Sequence, residues 1–148
     1  MVNKNSMLRV ILLMVIALLC ACVDKTENSQ ALTPEQMKAL EIRVEERWHA
    51  RIAHDWGAAW EYSSPAYREV FPKHLYVKKF SYTANWELTG VEVTNYDPSA
   101  AVASVVVGVM SRPTKLTSEA ARAMGPMPRK LHERWILVDS EWWFSANY

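Results

Sequence analysis

Ala100-Ala101-Val102-Ala103-Ser104-Val105-Val106-Val107-Gly108-Val109-Met110 is the run on which the fold turns. Its β-branched residues favour an extended chain. Apolar side chains fall on both parities, which predicts a strand covered on both faces and central in its sheet. Upstream, Asp97-Pro98-Ser99 is a turn signal, and Trp86 to Tyr96, rich in Val and Thr, reads as the preceding strand. Downstream, residues 111–128 hold Pro113, Gly125, Pro126 and Pro128, with a helical patch at Ser118 to Met124, and read as a long loop. Leu131 to Val138 is a third strand, Asp139-Ser140 a tight connection, and Glu141 to Asn147 the last strand.

The first half has the other period. Thr33-Pro34-Glu35-Gln36 combines a cap, a proline in the first turn and a capping box. Met37, Leu40, Val44, Trp48 and Ile52 then recur at helical spacing and define one buried face. Arg43, Arg47, Arg51, Glu41, Glu45 and Glu46 fill the other sides, and such a charged face is expected to be solvated. Asp55 caps a short helix through Trp60, Ser64-Pro65 opens another, and Lys73 to Phe80 forms a further turn or two. Helices followed by an antiparallel sheet make the fold class α+β: N-terminal helices in the concavity of a curved, mainly antiparallel four-stranded sheet.

Before Thr33 the chain reads as an address. Met1 to Arg9 is polar and cationic, and Val10 to Leu19 is wholly apolar, the order of a secretory signal. The apolar stretch falls short of the roughly 20 residues a spanning helix needs. Leu19-Cys20-Ala21-Cys22 resembles the bacterial lipobox. That resemblance implies cleavage between Ala21 and Cys22, diacylglycerol on the Cys22 sulfur and often a further acyl chain on its amine. The organisation that follows is a signal over 1–21, a lipidated flexible tether over 22–32 and one domain over 33–148. The implied location is the bacterial envelope, with Val23 after Cys22 favouring the outer membrane, facing the periplasm. Cys20 and Cys22 are the only cysteines, so the domain has no thiol for a disulfide, a nucleophile or a metal.

The formal net charge is +1, and Lys4 and Arg9 are the only charges before Cys22. A near-neutral domain without a basic stripe has no field to attract nucleic acid. His49, His54, His74 and His132 share no zinc-like spacing, so no metal is expected. No Ser-centred elbow, glycine-rich phosphate loop or Walker motif occurs, and no cofactor is expected.

The runs Arg47-Trp48, His54-Asp55-Trp56 and Trp60 to Arg68, with Trp135 to Trp143, resemble nuclear-transport-factor-2-like domains of bacterial envelope proteins. That resemblance implies a cone, a curved sheet wrapped round a long helix with a pocket at its open end. Some members are acid–base enzymes, and others only bind; no catalytic set of the family maps onto this chain.

Seven Trp against three Phe suggest a core and the lining of a cleft. Tyr62, Tyr67 and Arg68 are candidates to face a pocket ligand; the alternative is that the rings pack under the sheet and Arg68 pairs with Glu61 or Glu69. Trp86, Trp142 and Trp143 are candidates for a pocket or an interface. Adjacent Trp142 and Trp143 must point to opposite faces of a strand, so one enters the core and the other needs cover. The expected function is non-catalytic binding of a small hydrophobic ligand or a protein partner, either another envelope protein or a second copy through the sheet. The alternatives are an acid–base enzyme of isomerase, cyclase or dehydratase type and an accessory subunit of an envelope complex.

Overall fold

The computed structural model describes residues 31–79, 84–114, 118–119, 123 and 125–146. The signal, the Ala21–Cys22 cut, the lipid on Cys22 and nearly all of the tether lie outside these residues, as does most of the 118–124 patch. No helix among the described residues is long and apolar enough to cross a membrane.

Helix α1 spans Pro34–Ile52. Its capping box is present: Gln36 N donates to Thr33 Oγ1 at 3.2 Å, and Thr33 N donates to Gln36 Oε1 at 3.0 Å. Leu40, Val44 and Trp48 are wholly buried, each contributing about 1.5–3 kcal/mol by leaving water. The buried stripe is narrower than expected, since Met37 is 39% exposed. The helix ends in a Schellman turn. Asp55 N donates to Ala50 O at 2.8 Å and His54 N to Arg51 O at 3.1 Å, with His54 at φ 60° where glycine is usual. Asp55 then caps α2 (Trp56–Glu61), its Oδ1 accepting from Ala58 N at 2.8 Å. Ser64 caps α3 (Pro65–Val70), and α4 follows over Lys73–Lys79.

The second half is one open, wholly antiparallel sheet in the order β1 (Ala84–Asp97), β2 (Val102–Pro113), β3 (Met127–Val138), β4 (Glu141–Phe144). The α+β class holds; the sheet is not closed. The expected loop is shorter than its prolines suggest, because Met110 pairs with Pro128 and Ser111 with Met127, carrying both strands into it. The last strand ends at Phe144 rather than Asn147. Asp139 and Ser140 sit at φ 51° and 64°, the left-handed pair a two-residue hairpin needs, although neither is glycine.

Parity sets the two faces. Ala103, Val105, Val107 and Val109 point inward with Trp135 and Trp142, against α1. A second buried cluster, Trp56, Ala59, Tyr67 and Tyr76, lies among the short helices. The β2 strand is central as expected, but it is covered on one face only: Val102, Val106 and Met110, on the other, are half-buried. Strand β1 slips register at Thr89 and Thr94, and a side chain on Gly108 would start 2.8 Å from Thr89 Oγ1, so the bulge there needs a glycine opposite.

Candidate functional site

Two clusters of charged and aromatic groups flank α1, and they differ in burial. The first is internal. Glu133 occupies an inward position on β3 between Leu131 and Trp135. Its Oε1 accepts from Arg47 Nη1 at 2.7 Å and from Trp48 Nε1 at 3.0 Å. Its Oε2 accepts from Trp135 Nε1 at 3.0 Å, and Arg51 Nη1 lies 3.8 Å from Oε1. Arg47 and Arg51 thus bring two positive charges to one carboxylate. Their Nε atoms find no acceptor among the described residues. Aromatic faces take that place: Arg47 lies over Phe144 at 3.5 Å, and Arg51 over Trp48 at 4.2 Å and Trp86 at 5.0 Å. Burial, then repulsion by Arg47, pushes the Arg51 guanidinium down to about 10. The expectation that Arg47 and Arg51 are solvated is therefore corrected. They extend the Leu40–Val44–Trp48 face inward, because an inward-facing carboxylate awaits them.

The second cluster runs along the outer edge of β4. Phe144 N donates to Tyr62 O at 2.8 Å, Ser64 N to Phe144 O at 3.0 Å, and Arg43 Nε to Trp142 O at 3.1 Å. Those bonds cover an edge that would otherwise offer free backbone groups. Over them stands an alternation of rings and cations. The Arg43 guanidinium lies 4.9 Å from both the Tyr62 and the Trp143 rings, and that of Arg68 lies 4.7 Å from Trp143 and 5.5 Å from Trp60. Carboxylates complete it: Glu141 on Arg43 at 2.7 Å, and Glu61 on Lys73 at 2.8 Å and on Arg68 at 3.2 Å. Hydrogen bonding from Lys73, helped by the charge of Arg68, holds the Glu61 carboxyl below its usual range. Partial burial, then the nearby Glu46 carboxylate, raises the Tyr62 phenol. Tyr62, Trp60, Trp143, Arg43 and Arg68 are all half-buried.

Of the residues singled out in the sequence, this edge assembles Tyr62, Arg68 and Trp143. Trp142 is 3% exposed and packs edge-on against Tyr96 at 6.0 Å. Tyr67, 8% exposed, belongs to the second core with Phe71 and Tyr76. Trp86 joins the two cores, 5.7 Å from Trp48 and 6.4 Å from Trp56. Arg43, expected to be solvated, and Trp60, placed only at the end of a short helix, are functional candidates that the sequence does not single out. The described residues hold no cluster of three or more His, Cys, Asp or Glu fit for a metal ion. Surface hollows of about 260 and 240 Å³ lie beside Leu32, Met37 and Tyr96, and beside Trp86, Met110 and Arg112.

No family model matches the chain, and no curated protein matches it. Among solved structures it is similar to the solution structure of RPA3114, a SEC-C motif containing protein from Rhodopseudomonas palustris. That similarity is 16% in identity, covers 73% of this chain and 76% of that one, and has a TM-score of 0.40. The resemblance to nuclear-transport-factor-2-like domains is corrected, since no family model matches the chain. Several of the residues that carried it, Trp48, Trp56, Trp135 and Trp142, are core rings that any helix packed on an antiparallel sheet would bury.

Proposed function

We propose that this chain works by binding rather than catalysis, that it is held at the bacterial envelope membrane through Cys22, and that a protein partner docks on the β4 edge around Trp143. The observation that carries this reading is the alternation Tyr62–Arg43–Trp143–Arg68–Trp60. Trp, Tyr and Arg are the side chains that dominate protein interfaces. Here they are half-buried, so little rotamer freedom is left to lose when a partner arrives. The interior argues in the same direction. Both oxygens of the buried Glu133 accept from indole and guanidinium donors, so this carboxylate serves packing rather than proton transfer.

The test uses the chain extracted from its own membranes in mild detergent. Its intact mass should equal the chain from Cys22 onward plus diacylglycerol, with or without a further acyl chain, and a partner should co-purify at fixed stoichiometry. An unmodified Cys22 thiol would remove the anchoring half of the proposal. A monodisperse chain without a partner would remove the docking half.

A further inference from the structure

The outward face of the sheet is patterned in three rows. Strand β1 presents Glu87 and Glu92 there, opposite Met110 and Val106 of β2. On the far side of β2, Lys130, His132 and Arg134 of β3 stand opposite Gly108, Val106 and Ser104. An acidic row and a basic row thus flank a middle row that is Val102, Ser104, Val106, Gly108 and Met110, with the exposed Arg112 at its far end. Neighbouring strands are about 4.8 Å apart, so the two charged rows are separated by roughly 10 Å across β2. Among the described residues, Glu87, Glu92, Lys130 and Arg134 take part in no ion pair.

We infer that this face is an interface between two copies of the chain, packed sheet on sheet about a twofold axis that runs along β2. The charge pattern selects the axis. A twofold along the strands exchanges left and right, setting the acidic row of each copy on the basic row of the other and valine on valine. A twofold across the strands would set acid on acid. Shape agrees with charge. Gly90 and Gly108 lie side by side and leave a hollow of about 220 Å³ walled by Glu92, Val106 and Lys130. The selected axis carries Lys130 of the second copy over that hollow, beside Glu92. Strand β4 lies outside the overlap, so Trp143 stays available, and the inference does not rest on the docking role given to that edge. Three strands make a modest interface, with an expected Kd on the order of micromolar.

The experiment is sedimentation velocity of the full chain in density-matched detergent, over a concentration series. Wild type should pass from monomer to dimer. Glu92→Lys and Lys130→Glu should each weaken association by at least about tenfold, because each sets like charges opposite one another. Both substitutions in one chain exchange the two charges of that pair and should restore association to within about threefold of wild type. Melting curves check that each variant folds. A wild type that stays monomeric, single variants that associate normally, or a double variant as weak as the singles would each overturn the inference. A different protein covering this face would give the first of these results.

Discussion

Arg47 and Arg43 stand one turn apart on the same helix, each lies over aromatic rings, and each meets a carboxylate, yet they do different work. The Arg47 side chain is 3% exposed and its partner Glu133 5%. The Arg43 side chain is 24% exposed and its partner Glu141 49%. Burial makes the difference. Inside, water cannot replace a lost partner, so the Arg47–Glu133 pair fixes how α1 sits on the sheet. At the β4 edge water can replace one, so the same groups cost little to rearrange and are available to a visitor. Like chemistry serves structure when dry and recognition when half wet.

The largest effect should come from breaking the dry side. Glu133→Ala leaves Arg47 and Arg51 buried without their anion and should cost about 3–5 kcal/mol in urea unfolding. If the loss were below about 1 kcal/mol, water would have to reach the pair, and the contrast with Arg43 would vanish.

Next comes a change that should act on both sides alike. Ser140→Gly relieves a left-handed residue at φ 64° in the hairpin that carries Phe144 under Arg47 and Trp143 under Arg43. A gain of about 1 kcal/mol is expected by thermal unfolding. A loss would mean that Ser140 does not hold that conformation in solution.

Much of the frame was legible before any coordinates. The caps at Thr33, Asp55 and Ser64 are local chemistry, written in neighbouring residues, and each is found where it reads. The pairing of β2 with β3 beyond Met110 was not legible. Pro113 and Pro128 signal a loop locally, and only the ladders to β1 and across the hairpin override them. Arg47 and Arg51 hid for a similar reason. Their burial depends on Glu133, more than eighty residues away, whose inward parity shows only once the register of β3 is known. Tyr62, Arg68 and Trp143 could be named as candidates, but their meeting point at the edge of β4 is a product of tertiary structure.

A smaller effect belongs to the wet side. Arg43→Ala removes a half-exposed ion pair and two ring contacts and should cost about 1 kcal/mol in chemical unfolding. A cost equal to that of Glu133→Ala would erase the comparison.

The smallest concerns acid. The Glu61 carboxyl is depressed in the folded chain below its ordinary 4.5. Its contribution is therefore complete above pH 4.5 and is lost as pH falls through the depressed value. Because Glu61 is half exposed, the contribution should be only a few tenths of a kcal/mol. Unfolding of wild type and Glu61→Gln, compared from pH 7 to pH 3, should show the wild-type advantage shrinking toward acid. An advantage that grows instead would contradict the pairing with Lys73 and Arg68.

The most direct test of the docking role is partner retention by two variants solubilised from membranes side by side. Trp143→Ala should stay folded and lose the co-purifying partner. Glu92→Lys, changed on the acidic row of β1, should stay folded and keep it. Retention by Trp143→Ala at wild-type stoichiometry would show that binding lies elsewhere on the molecule.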